Sequence, residues 1–131
     1  MSGHEIAVRV YYEDTDLAGV VYYANYLKFF ERGRTEWLRA AGVEQGRLRA
    51  ETGLVFLVTR IAVDYRRPAC FDDLLRVTTG VESVGAASVA MAQAVLRGET
   101  LLAEATVRLA CIDAGGRPAR LPRALRAILQ S

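Results

Sequence analysis

Residues 13 to 19 read Glu-Asp-Thr-Asp-Leu-Ala-Gly and stand directly ahead of an aromatic run, Val20-Val21-Tyr22-Tyr23-Ala24-Asn25-Tyr26. The junction of this acidic turn with a helix start is where this chain would hold its chemistry. An aspartate can deprotonate a water or attack a carbonyl itself. A helix start offers unpaired N–H groups and a partial positive charge to an oxygen that gains charge. The same pattern also has a purely structural reading, with Asp14 and Asp16 as turn or capping residues. What the rest of the chain lacks narrows the chemistry. There is one histidine, His4, close to the N-terminus. A Ser-His-Asp or Cys-His site would need it, and no G-x-S-x-G run presents a serine. His4, Cys70, Cys111 and the carboxylates show no ligand-like spacing, so no metal site is expected. A hydrolase built on this chain must rely on a carboxylate and on backbone dipoles.

The elements that would position these groups follow from periodicity. Residues 5 to 13, rich in Ile, Val and Tyr, read as a first strand. The segment from Asp14 to Gly19 breaks it. A helix then fits residues 21 to 41, with Tyr22, Tyr26, Phe29, Phe30, Gly33, Trp37 and Ala40 on one side. Asn25, Lys28, Arg32, Thr35, Glu36 and Arg39 fall on the other. Gly33 sits in the middle of the apolar side, where it costs about 1 kcal/mol against Ala. Close approach of a sheet backbone would compensate. Arg32 and Glu36 are spaced as an i,i+4 pair, and Gly42 is placed to end the helix. A short polar helix is expected over 44–52, ended by Gly53. Four half-buried strands follow at 55–65, 74–84, 88–97 and 100–112, the last two joined by a tight Gly98-Glu99 hairpin. Pro122 opens a C-terminal helix over 122–130. A strand, a long helix and then four strands without intervening helices predict an antiparallel sheet with one helix on one face, an α+β single domain over 1–131.

Composition closes off other classes. The 131 residues suffice for one core and are too few for two. A net charge of +2, with the basic residues scattered, does not suit a nucleic-acid binder. No stretch approaches the run of about 20 apolar residues a membrane span needs. MSGHEIAVRV lacks the basic and apolar regions of a signal peptide, so the expected location is cytoplasmic, with both cysteines as reduced thiols.

The chain resembles the hotdog-fold thioesterases, in particular the tol-pal system-associated acyl-CoA thioesterases and the 4-hydroxybenzoyl-CoA thioesterases. The residues that carry the resemblance are Tyr12-Glu13-Asp14-Thr15-Asp16, Gly19-Val20-Val21-Tyr22, Asn25-Tyr26, Phe30-Glu31-Arg32, Arg34-Thr35-Glu36, Arg67-Pro68-Ala69 and Asp72-Asp73-Leu74. The resemblance implies a hotdog fold, a curved antiparallel sheet wrapped around one long central helix. It implies a homodimer or homotetramer with sites at the dimer interface. It implies an acyl-CoA thioesterase with no cofactor beyond the coenzyme A of the substrate, and with acyl-carrier protein as a further possible partner. The catalytic carboxylate falls on Asp16, and the amide that polarises the thioester carbonyl falls on Tyr23. Gly19 and Val20 would border the substrate. Tyr22 and Tyr26 would pack in the core and could also edge the acyl pocket. Glu31 is either a solvated or ion-paired helix residue or one that reaches the acyl end of a partner subunit's site. Two departures stand out. Tol-pal-associated members usually carry His at the position of Tyr23, whereas the hydroxybenzoyl branch carries Tyr. That branch also has a basic cluster for the nucleotide phosphates near Val84 to Ser88, where this chain is uncharged, so Arg66 and Arg67 are assigned to the phosphates instead. The rival to an enzyme is a low-turnover acyl-thioester-binding or scaffolding oligomer of the Tol-Pal envelope complex. A hotdog dehydratase would call for a histidine in the site.

Overall fold

A computed structural model describes residues 3–131. The order of elements is β1 (His4–Arg9), a single 3-10 turn (Tyr12–Asp14), α1 (Asn25–Ala40), α2 (Gln45–Thr52), β2 (Val55–Tyr65), β3 (Leu74–Val84), β4 (Ser88–Arg97), β5 (Thr100–Ile112) and α3 (Arg123–Gln130). The strands form one sheet in the order β1-β3-β4-β5-β2, and every neighbouring pair is antiparallel. The α1 helix lies against this sheet and buries Tyr26, Phe29, Phe30, Gly33, Trp37 and Leu38. This is the hotdog arrangement, a curved antiparallel sheet around a long helix.

Gly33 shows why the helix can sit so close. A Cβ there would stand 2.8 Å from Thr79 Oγ1 and 3.1 Å from Gln93 Nε2. Thr79 and Gln93 are buried polar residues of β3 and β4. They are satisfied together. Gln93 Nε2 donates to Thr79 Oγ1 (2.8 Å) and to the Phe30 carbonyl (2.9 Å), and Gln93 Oε1 accepts from Arg34 (3.0 Å). A buried polar network of this kind is tolerated only when its members are paired. The missing side chain at Gly33 leaves it room.

The two ends of α1 compare differently with expectation. The C-terminus closes as expected, in a Schellman motif. Gly42 has φ +91°, its N–H donates to Arg39 O (3.0 Å), and the Val43 N–H donates to Leu38 O (2.8 Å). The N-terminus begins at Asn25, four residues later than the periodicity predicts. Strand β1 also stops early, at Arg9 rather than residue 13. Both corrections share a cause. Asp14 Oδ2 accepts the Tyr11 N–H (2.8 Å), and the Asp14 N–H donates to Tyr11 O (3.0 Å), which curls the chain off the sheet. The expected Arg32–Glu36 pair is absent: Glu36 pairs with Arg39 (3.3 Å), and Arg32 lies over the Phe29 ring at 5.9 Å. Pro122 caps α3, which starts one residue later than predicted.

Candidate active site

The turn ahead of α1 is a small hairpin. Thr15 bridges Val21, the Asp16 N–H donates to Val20 O (2.9 Å), and the Tyr22 N–H donates to Asp14 O (2.9 Å). Gly19 closes it with φ +81°, in the left-handed region that favours glycine, and its N–H donates to Asp16 O (2.9 Å). Asp16 Oδ1 accepts the Ala18 N–H (2.9 Å), which fixes the carboxylate and leaves Oδ2 without a protein donor among the described residues. Side chains alternate along such a ribbon. Val21 points inward and is buried, so Asp14, Asp16 and Tyr22 share the outer face. The Tyr22 phenol stands on this exposed face. It is pushed above its ordinary value chiefly by Tyr23, then by burial, and then by the negative charge of Asp16.

A second layer fastens the hairpin to the body of the fold. The Val21 N–H donates to Ala69 O (2.8 Å), Val20 bridges Cys70, and the Ala69 N–H donates to the Tyr26 hydroxyl (3.1 Å). Tyr26 is therefore core, placed behind the turn, while Tyr22 and Tyr23 stand on the open surface. Burial pushes its phenol up. Asn25 Nδ2 donates to Asp14 O (2.9 Å), locking the helix start to the turn.

Between hairpin and helix, the Tyr23 and Ala24 N–H groups donate to no backbone carbonyl among the described residues. Tyr23 precedes the first helical residue by two positions, so its amide belongs to the lead-in of α1 rather than its first turn. The site thus joins one fixed carboxylate to open N–H donors at the positive end of a helix.

Glu31 lies further along α1, whereas Arg66 and Arg67 follow Tyr65 and precede Ala69, both of which touch the turn. Glu31 accepts from Thr35 Oγ1 (2.6 Å) and lines a cavity of about 560 Å³. Arg34 and Gln45 share its wall, and Phe56, Met91 and Leu129 its apolar lining. Burial lowers the Arg34 guanidinium from its ordinary value, and the nearby charge of Glu31 works against that. Arg66 is paired with Glu104 (2.5 Å), whereas Arg67 makes no ion pair among the described residues. His4 opens β1 at the far end from the turn, and a strand of that length spans about 20 Å. Among the described residues no group of three or more His, Cys, Asp or Glu could hold a metal ion, and no helix is long and apolar enough to cross a membrane. Two contributors were not anticipated. The sequence places Asn25 on the polar face of the helix and within the motif of the resemblance, without a stated role, and Tyr65 only as a strand residue. Neither has a periodic signal that marks its hydrogen bond to the turn.

Comparison with known proteins gives a consistent picture. A profile of the thioesterase-like superfamily matches residues 10–129. The chain is 46% identical over 127 residues to the acyl-CoA thioesterase YbgC of Haemophilus influenzae, covering 96% of this chain and 93% of that protein. It is 43% identical over 120 residues to the acyl-CoA thioester hydrolase YbgC of Escherichia coli, covering 90% of this chain and 89% of that protein. The crystal structure of a probable thioesterase from Bartonella henselae superposes with a TM-score of 0.89 at 41% identity, over 92% of this chain and all of that one.

Proposed function

This chain belongs to the thioesterase-like superfamily, and from that membership we propose that it is an acyl-CoA thioesterase whose reaction is carried by Asp16 and the Tyr23 amide. The substrate thioester is cleaved by water to a free acid and coenzyme A. In the general-base route Asp16 takes a proton from water while the water oxygen bonds to the carbonyl carbon. The tetrahedral oxyanion is met by the Tyr23 N–H. The C–S bond then breaks, and the departing sulfur receives the proton. In the nucleophilic route Asp16 itself bonds to the carbonyl carbon, the thiolate leaves first, and water then opens the resulting anhydride. Both routes need the same two groups.

The observation that supports this reading is the presence, within one hairpin-to-helix junction, of a carboxylate fixed by the Ala18 N–H and of Tyr23 and Ala24 N–H groups that donate to no backbone carbonyl among the described residues. One well-aimed donor contributes about 3 kcal/mol to such a transition state. Gly19, without a side chain, leaves the approach over the turn open, with Val20 and Tyr22 beside it. The test is Asp16→Asn, assayed by thiol release from a panel of acyl-CoAs. Turnover should fall at least about a hundredfold with the fold unchanged. Wild-type turnover in this variant would refute the assignment.

The reading extends to a second copy of the chain. Strand β2 is an edge strand, and it exposes Leu57 and Val58. Such an edge invites pairing with another chain. In a two-fold pairing of β2 with its copy, the strands run antiparallel, so the Tyr65 end of one meets the Val55 end of the other. The Tyr65 end touches the Tyr23 turn, and Phe56 and Val58 line the cavity that holds Glu31. Each turn would then face the other subunit's cavity, which supports Glu31 as a contact for the acyl end. Arg67, without an ion pair among the described residues, is the freer of the two arginines to meet a phosphate.

A further inference from the structure

Tyr65 is the last residue of β2, and its hydroxyl is spent on one residue of the site. It donates to the Tyr23 carbonyl at 2.8 Å. Its ring meets Tyr23 edge-on, with centroids 6.2 Å apart at 85°, and Tyr26 at 5.3 Å and 74°. Burial raises the Tyr65 phenol above its ordinary value, with smaller contributions from Tyr26 and Tyr23, so the hydroxyl stays protonated and able to donate.

Two peptide planes meet at the Tyr23 Cα. The first carries the Tyr23 N–H, and its oxygen, Tyr22 O, accepts the Asn25 N–H at 2.8 Å. The second carries Tyr23 O, which accepts the Tyr65 hydroxyl. Both oxygens are held, so the direction of the Tyr23 N–H is set from two sides. The Tyr23 side chain is 62% exposed, with its ring contacts limited to Tyr22 and Tyr65 among the described aromatic pairs. An oxyanion donor acts only when aimed at the place where charge develops, and small misalignments are costly.

We propose that Tyr65 is a positioning residue of the thioester hydrolysis, holding the Tyr23 amide in the direction the oxyanion requires. The inference rests on the reading of Asp16 and Tyr23 above. It also ties the edge strand to the site, because the same residue ends β2 and anchors the turn.

Tyr65→Phe isolates the hydroxyl, since the ring and its edge contacts remain. In steady-state thiol-release assays kcat should fall about tenfold while KM stays within about twofold. A non-hydrolysable thioether analogue of the best substrate should bind the variant as it binds wild type. Asp16→Asn is measured alongside. A kcat equal to wild type, or a loss confined to KM, overturns the role of Tyr65. If Asp16→Asn is inactive and Tyr65→Phe is normal, the site stands and only Tyr65 loses its part. If Asp16→Asn turns over like wild type, the reading of the site fails and this inference with it.

Discussion

Tyr23 offers two different groups to a substrate, and only one of them is needed by the proposed chemistry. Its N–H is open, while its phenol stands on the surface with its ring 4.9 Å from that of Tyr22. Replacing the phenol leaves the peptide plane and both of its anchors in place. Tyr23→Phe should therefore keep kcat within about threefold of wild type, read by thiol release. A loss as deep as that of Asp16→Asn would instead make the phenol itself a proton donor or acceptor. At this scale the sequence revealed which residue types were available. The single histidine directed attention to a carboxylate, and the resemblance directed it to Asp16. It could not reveal Tyr65, which reaches Tyr23 across 42 positions. A hydrogen bond that spans such a distance has no local pattern.

Elements were legible where periodicity or turn chemistry dominates and obscure where a side chain bonds to backbone. Strands β3 and β4 follow alternation over most of their length, and Gly42 ends α1 by adopting a left-handed conformation. Strand β2, in contrast, is not the half-buried strand its sequence predicts, because it lies at the sheet edge with a bulge between Val58 and Arg60 and leaves Leu57 and Val58 exposed. The shortened β1 and the late start of α1 depend on Asp14, whose carboxylate competes with the sheet for the Tyr11 N–H and whose carbonyl receives Asn25 Nδ2. Periodicity does not register that competition. Gly33 is the reverse case, because its place on the apolar face already implied a close sheet. A methyl group there should gain about 1 kcal/mol of helix propensity and lose more by displacing Thr79 and Gln93 from their bonds. Gly33→Ala should lower the stability by about 1–2 kcal/mol net in urea unfolding. A stabilised variant would mean that the Thr79–Gln93 network yields without loss.

For the whole molecule the decisive question is whether a second copy completes the proposed site. The turn lies by the Tyr65 end of β2 and the cavity by its Phe56 end, and the antiparallel pairing of two β2 edges proposed above would bring each turn to the other copy's cavity. The sequence alone could not show this, because edge status is a property of strand order rather than of any strand. Leu57, 53% exposed on β2, is where a charge would resist that pairing while leaving the partner strand β5 undisturbed. Leu57→Lys should shift the protein toward monomer in sedimentation velocity at micromolar concentration. Its turnover should fall about tenfold or more, because Asp16 and the Tyr23 amide would then face solvent instead of a walled pocket. The fall should be relieved as protein concentration rises and copies re-form, a dependence that local damage to the turn would not produce. A monomeric Leu57→Lys with full turnover would show that one chain holds everything the reaction needs. In that case Glu31 and its cavity would have no part in it.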